Sequence, residues 1–189
     1  IPAIDNLKQA VTKLRELRDK DIPVYIIAGS HDFSPSGKTM IDVLEEAELV
    51  QNVCKGNIDN DNSLTLNFTV DPKTGANITG MIGKKGTLEK KYYENLNREN
   101  LEKKDGFKIF MFHSGISEIK PNYMEHVPME PLSLLPRGFD YYAGGHIHYI
   151  FNREIKDYGN ICFPGALFPC KFDEIEKFKH GGFYIYEDG

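Results

Sequence analysis

At 189 residues, with 40% hydrophobic and 27% charged, the chain is long enough for one globular α/β domain with a sizeable core and too short for a second complete one. A formal net charge of -5 argues against a surface coated in basic residues for nucleic acid, while leaving room for a local anionic substrate held by metal ions. The three cysteines, Cys54, Cys162 and Cys170, have no CxxC spacing, which indicates neither a disulfide framework nor a thiolate zinc site and fits free thiols in a reducing compartment.

Residue 1 is Ile rather than Met, and Ile4, Leu7, Val11, Leu14 and Leu17 recur at spacings of three and four, predicting a helix over 4–17 with Asp5 or Asn6 as its cap. The stripe suits a helix lying on a sheet, and it also fits a heptad-like seam that could meet a partner helix. A layered fold places a strand before such a helix, so an upstream part is expected to be missing. No apolar run approaches the roughly 20 residues of a membrane helix and no signal peptide opens the chain, so it reads as soluble and intracellular. Val24 to Ala28 forms an apolar strand that runs into Gly29-Ser30-His31-Asp32. Gly37-Lys38-Thr39 imitates the end of a phosphate-binding loop, but Asp32 stands where that pattern needs glycine. Met40, Val43, Leu44 and Ala47 predict a second short helix, within 39–48.

Asp59 to Ser63 imitates a calcium loop, yet Leu64 and Val70 occupy the required glycine and acid positions, so a solvated turn is expected. Leu64, Leu66, Phe68 and Val70 alternate with polar residues as in one half-buried strand, and Asp71 to Gly75 turns the chain into a partner around Asn77 to Ile82. Lys84-Lys85, Lys90-Lys91 and Lys103-Lys104 punctuate a helical stretch whose interspersed glutamates favour a solvated face. Ile109 to Phe112 is apolar on both faces, as a central parallel strand should be, and runs into His113-Ser114-Gly115. His126 falls in a proline-rich loop over 121–136 and reads as a bystander, and His180 as a surface residue. Residues 149–155 and 160–163 read as strands, Pro164 to Pro169 as an apolar loop, and Gly182 to Tyr186 as a final strand.

The stretch Tyr141 to His148 organises the rest. An apolar run ends in Gly144-Gly145 and then presents His146 and His148. In extended backbone residues i and i+2 point to one side roughly 6.5 Å apart. That suits one imidazole on each of two metal ions about 3.5 to 4 Å apart. Three buried strands thus deliver histidine at their C-terminal ends, the end at which open α/β sheets bind ligands.

Strand-GSHD, strand-HS and strand-GGHIH, in that order, resemble the calcineurin-like metallophosphoesterases. The phrases "IPVYIIAGSHD", "HSGISEIKP", "LPRGFDYYAGGHIH" and "GGFYIYEDG" are similar to the Mre-type or SbcD-type nucleases of DNA double-strand-break repair, over nearly the whole chain. The resemblance implies a layered α/β sheet-and-helix fold, with residues 1–189 as a phosphoesterase domain truncated at its N-terminus and without the DNA-capping domain. It implies a two-metal Mn site in which Ser30, His113 and His146 serve one ion and His148 the other. His31 would stabilise charge on the phosphate or protonate the leaving oxygen, oriented by Asp32, while a metal-bridging hydroxide attacks the phosphodiester.

Two departures stand out. Ser30 replaces an amide ligand, and the family's DxH and GDxxD motifs are not in the chain, so the fragment is expected to hold at most one ion, weakly. The implied partners are DNA, a second copy joined through helices 4–17 and 39–48, and a coiled-coil ABC-type repair ATPase of the Rad or SbcC kind, in a cytoplasmic, DNA-associated protein with no membrane contact. Alternatives are a phosphoesterase for small phosphoesters or nucleotides and a nonenzymatic interaction module.

Overall fold

The computed structural model describes residues 3–34, 37–83 and 88–187, apart from the side chains of residues 88 and 89. Its centre is a six-stranded sheet in the order β5-β6-β7-β8-β10-β9. The strands are β5 (Thr69–Val70), β6 (Asn77–Met81), β7 (Lys108–Phe112), β8 (Tyr141–Gly144), β9 (Ile150–Ile155) and β10 (Gly159–Pro164). β6, β7, β8 and β10 run parallel, and antiparallel β5 and β9 close the two edges. The expectation of a central parallel strand at 109–112 is met, because its two faces both find cover.

Alternation along β7 and β8 separates those faces. Phe110, Phe112 and Tyr142 point into the largest cluster, with Phe139, Ile161 and Phe163. Ile109 and Met111 point the other way, towards Ile78, Tyr25 and Ile27. A small second sheet lies there, β1 (Tyr25–Ile26) parallel to β2 (Gln51–Asn52). Under it α1 (Ile4–Asp19) and α2 (Met40–Glu46) pack Val11, Leu14 and Leu44 against Ala28, Ile41, Leu49 and Val50. The link between the layers includes a polar joint: Tyr25 donates its hydroxyl to Asp71 Oδ1 at 2.7 Å, and Thr74 N–H donates to Asp71 Oδ2 at 2.9 Å. Burial alone would raise the Asp71 carboxyl, but the hydrogen bonds from Thr74 and Tyr25 prevail and hold it below its usual range.

Several expectations need correction. α1 is capped by Ala3 without a side-chain bond, and Asp5 sits inside the first turn, where its charge meets the helix dipole. The single strand expected over 64–70 divides: β4 (Leu64–Leu66) pairs with β3 (Gly56–Ile58), and β5 pairs with β6. Asn67 makes the break, its N–H bonded to Lys55 O and its carbonyl taken by the Thr79 hydroxyl. The helical stretch after Gly86 is two pieces, α3 (Leu88–Glu94) and α4 (Arg98–Glu102), with Lys84-Lys85 outside the described residues.

Gly182 to Tyr186 forms no ladder; Tyr186 lies over the second face of the sheet, its ring tilted against those of Phe107 and Tyr141 at centroid distances of 5.8 and 4.7 Å. The segment before it holds an unexpected helix, α5 (Phe172–Phe178). The three cysteines are free thiols. No helix among the described residues is long and apolar enough to cross a membrane.

Candidate active site

β1, β7 and β8 each end in a glycine-containing loop, and the three loops converge. One pocket of about 450 Å³ is lined by Ser30, His31, His113, His146 and His148, with Tyr123, Lys171, Glu174 and Lys177 among the residues of its rim. All four histidines expected to share a site are therefore together. His126 and His180 are exposed and absent from this lining, as their sequence setting implied.

The closeness of the loops has a local cause. Glycine follows each of three strands, and the His113 ring occupies the space that side chains would fill. A Cβ on Gly29 would stand 2.9 Å from His113 Cε1, one on Gly145 would stand 2.9 Å from Nδ1, and one on Gly83 would run into the same ring. Real Cβ atoms do not approach so closely, so the slot exists only because these residues have none. Burial there, reinforced by the neighbouring His146, drives the His113 imidazole down to about 4, so it is neutral at pH 7 with a lone pair available. His146 is likewise lowered, first by burial and then by His148 and His31.

The backbone at His146 corrects the sequence reading. His146 and Ile147 form a bend rather than extended chain, and His146 has φ of 79°. A non-glycine residue in the left-handed region carries strain, of the sort that surrounding structure enforces at functional sites. The same turn brings the His146 ring to 5.1 Å from that of His113, centroid to centroid. Convergence therefore arises by a route other than the i, i+2 geometry.

Ser30 is 6% exposed, at the end of the thin layer. Asp32 accepts a hydrogen bond from Gly29 N–H at 2.7 Å, closing the Gly29-Ser30-His31-Asp32 turn, and its charge acts on His113. One functional neighbour escaped the sequence reading. Glu174, 4% exposed on α5, sits with Oε1 2.6 Å from His148 Nδ1, while Oε2 accepts Cys170 N–H at 2.9 Å and Lys171 N–H at 3.3 Å. The bond from Cys170 N–H, followed by the contact with His148 and then the bond from Lys171, holds its carboxyl below the usual range. An acid in a seven-residue helix has too little periodicity around it to signal burial.

The profile of the calcineurin-like phosphoesterases matches residues 4–149. The chain belongs to that family. Among similar proteins, the DNA double-strand break repair protein Mre11 of Methanococcus maripaludis is 27% identical over 195 residues, covering 97% of this chain and 48% of the relative. Its counterpart in Saccharolobus solfataricus is 29% identical over 191 residues, 97% of this chain and 45% of the relative. That of Sulfolobus acidocaldarius is 33% identical over 152 residues, 79% of this chain and 35% of the relative. The chain thus spans less than half the length of these relatives.

Calcineurin-like phosphoesterases imply divalent metal ions, and the pocket matches that requirement in kind and falls short in number. Neutral imidazoles held in a pocket are suitable donors to a first-row divalent ion. Among the described residues, however, no three His, Cys, Asp or Glu side chains are disposed to hold one ion together. Of the carboxylates around the histidines, Asp32 is engaged with Gly29 and Glu174 with His148, Cys170 and Lys171, and Asp173 also lines the pocket. Two adjacent dications repel, and a bridging carboxylate is what offsets that repulsion in a two-metal centre.

Proposed function

We propose that this chain supplies the histidine half of the active site of an Mre-type DNA nuclease, a Mn-dependent enzyme with 3'-to-5' exonuclease and endonuclease action in double-strand-break repair. The observation that carries the reading is the convergence of His31, His113, His146 and His148 on one pocket, with His146 in strained backbone. Similarity to several Mre11 proteins over most of the chain supports the DNA substrate. In this reading His113, His146, His148 and Ser30 are metal donors. His31, which is exposed in the pocket, meets the phosphate; Asp32, expected to orient the His31 ring, instead accepts from Gly29 N–H and supports the loop. Metal chemistry would supply the nucleophile; the chain itself supplies neutral donors and an imidazole free to exchange a proton.

The proposed assembly joins two copies through α1 and α2, where Ile4 and Val43 are 82% and 58% exposed while Val11, Leu14 and Leu44 serve their own core. A coiled-coil ABC-type ATPase is the further partner, and the cytoplasm the proposed compartment.

The test is Mn²⁺ titration by calorimetry beside cleavage assays on DNA and on a panel of nucleotides, for this chain and for a chain of the relatives' full length. The 189-residue chain is expected to bind one ion weakly and cleave nothing; the longer chain should cleave DNA, and His146→Ala should abolish that cleavage. Cleavage of nucleotides alone would replace the reading with a small-phosphoester hydrolase. Metal-independent behaviour with no cleavage by the longer chain would leave an interaction module.

A further inference from the structure

Glu174 occupies an arrangement that decides which ring nitrogen of His148 carries the proton. Its Oε2 is committed to the N–H groups of Cys170 and Lys171, which can only donate. Its Oε1, 2.6 Å from His148 Nδ1, can only accept while the carboxyl is ionised. The proton between them therefore resides on Nδ1. In neutral imidazole the other nitrogen then bears the lone pair. Nδ1 being taken by Glu174, Nε2 is the ring nitrogen left for a ligand, and His148 lines the pocket.

We propose that Glu174 is a positioning residue: it locks His148 in the Nδ1–H tautomer and so turns a lone pair on Nε2 into the pocket as a metal donor. The final step rests on the reading of this pocket as a metal centre; the tautomer does not. A purely structural role is the competing account, since the same carboxylate also ties down the chain at the start of α5.

Glu174→Gln separates the two. The two backbone donors keep the amide oxygen on their side, because turning it away would set NH₂ against two N–H groups at once. The NH₂ group then faces Nδ1 and donates to it, which makes Nδ1 an acceptor and places the proton on Nε2. The bonds at the start of α5 survive while the His148 tautomer reverses. Glu174→Ala removes both functions.

The experiment is ¹⁵N spectroscopy of the histidine rings of the metal-free protein at pH about 8.5, above the ordinary imidazole range, followed by Zn²⁺ calorimetry. In the native chain His148 is expected as the Nδ1–H form; in Glu174→Gln it should be the Nε2–H form, with Zn²⁺ affinity lower by roughly 10- to 100-fold, the usual effect of losing an orienting carboxylate. An Nε2–H form or an even mixture in the native chain overturns the proposal, and that spectrum decides even if a variant fails to fold. An unchanged tautomer in Glu174→Gln also overturns it. A reversed tautomer with unaltered Zn²⁺ binding would instead sustain the positioning role and remove His148 from the metal centre.

Discussion

The two faces of the central sheet use the same strands and meet different fates. On one face Phe110, Phe112, Tyr142 and Phe163 are at most 1% exposed. On the other, Ile109, Met111, Tyr141 and Ala143 are only half-buried, under two-residue strands and Tyr186, and they line a pocket of about 520 Å³. The closed face fixes where β7 and β8 end, and hence where His113 and His146 stand. The open face carries the layer that delivers Ser30 and His31. The pocket thus joins a fully buried half to a less buried one.

The largest test of this asymmetry is a pair of truncations on adjacent residues of β7. Phe110→Ala should cost about 3 to 5 kcal/mol as a large buried ring is removed, whereas Met111→Ala, on the open face, should cost roughly 1 kcal/mol. Chemical denaturation measures both, and equal losses would erase the distinction. Next comes Gly83→Ala, whose new methyl group meets the His113 ring. Overpacking of this kind costs about 1 to 3 kcal/mol; it should also move the His113 ring resonances while those of His180 stay in place.

A smaller effect concerns the Tyr25–Asp71 joint. Because the Asp71 carboxyl is held below its usual value, its contribution is complete above the unfolded value, about 3.9, and is lost as pH falls through the still lower folded one. Acidification should therefore release β1 amides to hydrogen exchange before those of β7, and Tyr25→Phe should weaken that pH dependence while costing about 1 kcal/mol at neutral pH. Loss of protection in β7 first would reverse the ranking of the layers. The smallest change expected is Val43→Ser on the exposed side of α2, within about 0.5 kcal/mol for the monomer; sedimentation at high concentration would show whether that face carries an association.

The parallel strands β7 and β8 were legible in the sequence because residues covered on both sides leave an unbroken apolar run, and α1 because its stripe spans nearly four turns. Alternation over Leu64 to Val70 told which side chains face inward but not which neighbour each half would pair with, and Asn67 divides it between two sheets. The same limit applies to the closing segment. Phe183 and Ile185 are 77% exposed and Tyr184 and Tyr186 far less so, yet no ladder forms there among the described residues. At the site, the histidines were legible by their strand-end positions. The left-handed turn at His146 was not, because nothing in the residue type demands it, and neither was Glu174, whose partner lies 26 residues earlier.

The glycine slot around His113 has a thermodynamic consequence. Gly29 comes from the thin layer and Gly83 and Gly145 from the ends of β6 and β8, so the slot is whole only while both layers are docked. Docking and any binding event at His113 then share one cycle, and a ligand that prefers the docked form must tighten it. A ligand at 100 times its Kd would add about 2.7 kcal/mol to the closed arrangement. An ion seated against His113 would act as a clamp between layers, and its apparent affinity would rise or fall with anything that stabilises the thin layer, however far from the pocket that change is made.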